Sequence, residues 1–338
     1  MSAGRKLLAG VWVLFLPCHV LAADRYWVGT NSVNWNSTAN WSDTTGGACG
    51  FSVPGASDNA IFDTGASNNC TVNANASVLG LILASGFTNT VTQGNNIQIT
   101  VGNGGFAQSG GIFVGSNTNI TFNSTATFAG GAFTNTSGLM VSRAAFTNVT
   151  DTTVFYHNGG RVQFKCNWNT KPVVTPGSFV FYDAELTCNG DTSRWYINGL
   201  MVVTNNLIMS DAGGYSSGGL EWGNINVYGN VSMLTVYWGN GNDNGGSTHI
   251  RLKGTADQSI IVTAAGHFPG IEINKPSGIL YFGGSGSEIV VQDDWLWISG
   301  DGLVHSNKTL YHYTNYWQDK NCTPGPYSYG SVRMSFSS

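Results

Sequence analysis

Charge is scarce in this chain. Asp, Glu, Lys and Arg together make up 9% of 338 residues. Without Arg5 and Lys6 near the N-terminus, 12 basic residues face 18 acidic ones, a net of −6. No basic stripe gathers phosphates, so nucleic acid is not an expected partner. Long apolar runs are equally few. The run from Leu7 to Leu16 is short for the roughly 20 residues of a bilayer span. No later stretch is long enough, and Arg333 to Ser338 is no lipid-anchor tail. The mature chain is therefore expected to carry no membrane span.

Signatures of chemistry are lacking as well. There is no Gly-x-Ser-x-Gly elbow and no phosphate loop. The cysteines do not follow a zinc-module spacing with close histidines. His157, His249, His267, His305 and His312 show no paired ligand spacing. Neither a metal nor a cofactor is expected. The weak catalytic candidates are Asp183 and Glu185, two apart in Phe181-Tyr182-Asp183-Ala184-Glu185. On a strand they face the same side, within reach of one ion or sugar. Asp191 with Arg194 and Asp293 with Asp294 are weaker pairs of the same kind.

What the chain has instead begins with a leader. Arg5-Lys6, the apolar run and Val20-Leu21-Ala22 follow the order of a secretory signal peptide. Residues 1–22 are read as that peptide, and the product as secreted to the extracellular space or the cell surface. Apolar content is 41% and aromatic content 12%, enough for a substantial core despite the low charge. The remainder is rich in Gly, Asn, Ser and Thr. Gly and Asn accept the positive φ of sharp corners, and stacked Asn and Thr can hydrogen-bond from one layer to the next.

A period of about 21 residues then organises the chain. Ile99-Thr100-Val101 returns as Ile120-Thr121-Phe122, with Val141 one period on, and Gly110-Gly111-Ile112 as Gly131-Ala132-Phe133. Short alternating runs are separated by Gly, Asn and Ser corners. The fold class expected is all-β: a single-stranded right-handed parallel β-helix, or β-solenoid, with coils of about 21 residues and aromatic-rich capping ends. A β-sandwich is the rival, and the near-constant offset favours winding. The organisation expected is an N-terminal cap and first coil over 23–70, a solenoid body over 71–310 and a C-terminal cap or subunit-docking tail over 311–338. Trp27, Trp35, Trp41 and Trp317 are read as capping or glycan-stacking aromatics.

Cysteine spacing matches the period, 21 residues from Cys49 to Cys70 and 22 from Cys166 to Cys188. Those two pairs are the expected disulfides, each worth roughly 3 kcal/mol in the chain-entropy model. Cys322 is left over, either free or bridging to another subunit. Eleven Asn-x-Ser/Thr sequons start at Asn36, Asn40, Asn69, Asn75, Asn119, Asn123, Asn135, Asn148, Asn230, Asn307 and Asn321. In a eukaryotic secretory pathway they are candidate sites for covalent N-glycans.

Two stretches carry a family resemblance. Trp35…Asn40-Trp41…Val53-Pro54-Gly55…Asp58…Ile61-Phe62 resembles the opening motif of secreted β-solenoid proteins, including passenger-like adhesin and surface proteins. Gly254-Thr255-Ala256-Asp257-Gln258-Ser259-Ile260…Phe268-Pro269-Gly270-Ile271-Glu272-Ile273-Asn274-Lys275 is similar to a repeat unit of large extracellular β-rich surface proteins. The resemblance implies a right-handed parallel β-helix used for display, adhesion or assembly. The expectation is a structural subunit of an extracellular glycosylated fibril or surface assembly, self-associating end to end into a filament. The alternatives are an adhesin that binds extracellular polysaccharide, with Trp238, Trp295, Trp297 and Trp317 as stacking candidates, and a polysaccharide lyase or glycoside hydrolase.

Overall fold

The computed structural model describes residues 22–285 except 167–169, 189–193, 212–218, 235–246 and 264–265, and past 285 the backbone of several strands. The leader, Cys322, Asn307, Asn321, Trp238, Trp295, Asp191, Asp293 and Asp294 lie outside the described residues. So do the side chains of Cys188, Trp297, Trp317, His267, His305 and His312.

The chain winds as a parallel β-solenoid of about nine turns, each of about 22 residues. Each lap visits three faces in order. Face A carries Ile120–Phe122, Leu139–Ser142, Arg161–Lys165, Asp183–Cys188, Leu207–Asp211, Val231–Met233, Gln258–Val262 and Ile279–Gly283. Face B follows with Asn59–Phe62, Ala126–Phe128, Phe146–Asn148, Val173–Thr175, Arg194–Ile197 and Gly219–Glu221. Face C completes the lap with Cys70–Val72, Thr90–Gln93, Ile112–Val114, Ala132–Thr134 and Val154–Tyr156. It resumes in a second ladder running from Val180–Phe181 through Leu200–Val203, Asn224–Val227 and His249–Leu252 to Gly270–Asn274. The long strands Ala76–Leu83 and Ile99–Gln108 cross the corner from A to B, with an irregularity between Val78 and Gly80.

Neighbouring laps pair in parallel, as the repeat requires. Ile99 stands opposite Ile120, a step of 21 residues, as expected. The next step is 20. Met140, not Val141, stands opposite Ile120, and Ala132, not Phe133, opposite Ile112. Because strand side chains alternate, that single residue decides which side faces in. Met140 and Phe133 are fully buried, whereas Ala132 faces out. Later steps lengthen, to 22 at Val162, 23 from Ala184 to Leu207, 24 to Val231 and 29 to Ile260.

Alternate residues of every face fill one continuous core. Ile120 and Phe122, Val162 and Phe164, Ala184 and Leu186, and Leu207 and Met209 line it from face A. Phenylalanines stack along face C like rungs. Phe113 and Phe133 lie 5.0 Å apart at 8°, Phe133 and Phe155 5.8 Å at 4°, and Phe155 and Phe179 4.6 Å at 19°. Corners tie successive laps together through polar side chains. Asn69, Asn75 and Asn117 each accept a backbone N–H from an adjacent lap, from Thr90, Gln98 and Asn96. At the entry to face C, Gly111 and Gly131 both have positive φ and stand one above the other. A Cβ on Gly131 would collide with the Gly111 carbonyl.

The N-terminal end is closed by its own first lap. Asp24–Trp27 pairs in parallel with Asn59–Phe62 from Asp24 to Tyr26, and antiparallel with Trp41–Ser42 at Tyr26 and Trp27. Trp27, Trp35 and Trp41 are buried, with Trp41 edge-on to the other two at 5.2 and 4.8 Å and all three against Phe62. The indole N–H groups are satisfied, Trp41 by Trp35 O at 2.7 Å and Trp27 by Asn68 O at 3.0 Å. Of the two readings of these tryptophans, burial supports capping and removes glycan stacking. Apolar rings cover a core that the solenoid would otherwise expose at its end.

Candidate functional site

The carboxylates named from sequence sit side by side, as expected, on the outer side of face A. Both are engaged by neighbouring laps. Asp183 Oδ1 accepts from Asn205 Nδ2 at 2.9 Å, and from the Asn206 backbone at 3.0 Å and Nδ2 at 3.2 Å. Glu185 binds Arg161 at 3.3 Å on the preceding lap and accepts Ser210 Oγ at 2.8 Å on the following one. Arg251 with Glu272 at 2.6 Å and Arg194 with Glu221 are further pairs that step one lap. Arg194 thus has Glu221 as a carboxylate partner, while Asp191, matched with it in the sequence, lies outside the described residues. Such contacts lock one lap onto the next, with all three bonds to Asp183 on Oδ1 and both Glu185 oxygens engaged. His157 stacks on Tyr182 at 5.3 Å, and its Nδ1 accepts the Gly159 N–H. Among the described residues no cluster of three His, Cys, Asp or Glu can hold a metal ion.

The cysteines divide. Cys166 is buried and disulfide-bonded. Lys165 pairs with Thr187, and the Cys166 N–H donates to Thr187 O, so the register sets residue 188 beside it. Cys49 and Cys70 are separate thiols, which corrects the pairing expected from their spacing. Cys70 points into the core from face C, where burial pushes its thiol well above the ordinary range. Cys49 lies in the irregular stretch before Val53, with its sulfur 3.2 Å from Thr30 Oγ1. Equal spacing fails here because Val33 to Trp35, not Cys49, lie against Cys70–Val72, with Asn34 opposite Thr71 in parallel, and Cys49 follows later, past the 3₁₀ turn Thr38–Asn40.

The sequons divide too. Asn36, Asn69, Asn75, Asn119 and Asn123 are exposed and Asn230 is half-buried. Asn40, Asn135 and Asn148 are buried. Asn40 organises the cap: its Nδ2 donates to Ser32 Oγ and Asn34 O, and its Oδ1 accepts Ser32 N–H. Asn148 Nδ2 donates to Asp151 Oδ1 at 2.8 Å. These amides serve corners, which the three-residue sequon pattern does not reveal.

Two surface features were not legible as sites. On face C the outward positions of three laps are Ile112, Ala132 and Val154 in one row and Val114, Thr134 and Tyr156 in the next. No charge interrupts them, and Val154 and Tyr156 are 49% and 57% exposed. The other feature is Trp222. It is 55% exposed and has φ +64, beside Gly223 at φ +47. Two successive residues with positive φ are the combination for which Asn-Gly is the favoured pair. Among the described residues the other non-glycine positions with positive φ are Asn96, Asp151 and Asn158, types that tolerate it. For a bulky residue the left-handed region costs roughly 1–2 kcal/mol. In the sequence Trp222 reads only as the end of a strand.

No family model matches the chain, and no similar curated protein or solved structure was found.

Proposed function

We propose that this chain is a structural, non-catalytic subunit of a secreted extracellular assembly, and that copies associate side by side through face C. The observation that carries the reading is the uncharged outer side of that face. Ile112, Val154 and Tyr156 lie exposed on a sheet whose backbone bonds are already made within the solenoid. Sheets of this kind pack face to face, about 10 Å apart, and a two-fold contact closes on itself. Among the exposed sequons, Asn119 and Asn123 flank the strand Ile120–Phe122, so glycans there would cover face A, whereas Asn69 adjoins Cys70–Val72 of face C, two laps from Ile112.

The closed first lap bears on end-to-end growth. Filaments built on open termini need unpaired edges, and Trp41–Ser42 covers the outer edge of Asp24–Trp27 at Tyr26 and Trp27. The engagement of Asp183 and Glu185 between laps weighs against the lyase or hydrolase reading. The resemblance to adhesin-like surface solenoids fits a displayed rod equally well.

Sedimentation velocity on the secreted protein tests the reading. Wild type is expected to self-associate with rising concentration, and Tyr156→Lys with Val154→Lys to remain monomeric while keeping its Tm. A monomer at every concentration would refute the proposal.

A further inference from the structure

We propose that Trp222 and Tyr196 form a docking platform for the apolar face of a neutral pyranose, making the solenoid a glycan binder at this corner. The platform is rigid. The Trp222 N–H donates to Ser247 Oγ at 3.1 Å, and the Trp222 carbonyl accepts Thr248 Oγ1 at 2.5 Å, so the next lap holds the peptide at both ends. Tyr196 braces the indole, ring centroids 4.4 Å apart at 63°. The strained backbone therefore holds the indole outward, where Asn at the same position would relieve the turn. Strain kept at an exposed aromatic points to a role for the ring itself.

The surroundings favour sugar over protein. A protein hot spot sits within a wide desolvated patch, about 800 Å² on each side. Besides Tyr196, the described contacts of Trp222 are polar, Ser247 Oγ on its N–H and Thr248 Oγ1 on its carbonyl, and Glu221 and Gly223 adjoin it in the chain. Glu221 accepts from Arg194 and from Ser247 Oγ. That ion pair is internally neutral and presents hydrogen-bonding groups beside a single ring, the pattern that fits sugar hydroxyls around a stacked C–H face. Among the described contacts, the cation beside the ring, Arg194, is paired with Glu221.

Isothermal titration of the full secreted chain with cellohexaose, laminarihexaose and chitohexaose tests the site. Wild type is expected to bind at least one. Trp222→Asn should weaken that binding about tenfold or more with a Tm no lower than wild type, because Asn suits the left-handed turn. Trp222→Phe should keep most of the affinity. Absence of wild-type binding to all three sugars would overturn the proposal, as would Trp222→Asn binding like wild type. A Trp222→Asn variant that changed self-association and left sugar binding intact would also overturn it, and would assign the ring to a protein contact.

Discussion

Replacing Lys275 with Met should destabilise the C-terminal half of the solenoid. Lys275 is fully buried, and its ammonium donates to Gly254 O at 2.9 Å, Ala256 O at 2.8 Å and Gln258 Oε1 at 2.9 Å. Gln258 extends the network, accepting the Gly254 N–H and donating to Val227 O and Gly229 O. Three laps are thus pinned where face A takes its longest described step, the 29 residues from Val231 to Ile260. In Lys275→Met the Gln258 oxygen keeps the Gly254 N–H, so the loss falls on two carbonyls. Each orphaned acceptor costs about 1–3 kcal/mol. Removing the buried charge returns part of that, which leaves about 2–4 kcal/mol. Urea denaturation at pH 7.5 measures it. The pH dependence carries a second signature. Burial holds the Lys275 pKa below its ordinary 10.5, against an opposing pull from Asp257. Between the lowered folded value and 10.5 the unfolded chain binds more proton than the folded one, so stability from this group rises with pH across that window. Wild type should gain on Lys275→Met as pH climbs toward 10.5. Equal stability of the two proteins at pH 7.5, or a difference that shrinks on approach to 10.5, would refute the reasoning.

Other tests address other parts of the structure. Phe133→Ala removes a buried ring packed against Phe106, Phe113, Phe128 and Phe155 and should cost about 3–5 kcal/mol in chemical denaturation. Asp151 is held below the usual carboxylate range by hydrogen bonds from Ser178 and then Asn148. Its contribution is present above pH 3.8 and fades as pH falls through the lower folded value, so Asp151→Asn should flatten that part of the acid-unfolding curve. Iodoacetamide under native conditions should label Cys49 and spare buried Cys70, with mass spectrometry as the readout. In a host that N-glycosylates, peptide mapping of the folded protein should find Asn119 and Asn123 modified and Asn40, Asn135 and Asn148 bare.

The winding was legible because one face repeats its inward pair. Ile99 and Val101 recur as Ile120 and Phe122, and such a recurrence has meaning only if laps stack. The capping tryptophans were legible for a related reason, since three indoles before the first repeat have a core end to cover. Finer matters depended on contacts that spacing cannot encode. The step to Met140 is a residue shorter than the echo of Ile120 in Val141 implies, and only packing selects which side chain turns in. Cys49 and Cys70 share the period of the body, but the first lap does not follow that period. Asn40 and Asn119 carry the same sequon, one as a buried turn amide and one at an open corner. Trp222 hid because exposure and a left-handed φ leave no trace in residue type. The outer side of face C hid because its rows assemble from laps about 20 residues apart.

Electron microscopy of the secreted protein tests the structural role most directly. Nine or so laps at the interstrand spacing of about 4.8 Å make a solenoid body about 45 Å long. The account predicts short rods lying flank to flank, with pairing abolished by Tyr156→Lys. Strings joined at their tips, or rods that stay apart at every concentration, would contradict it.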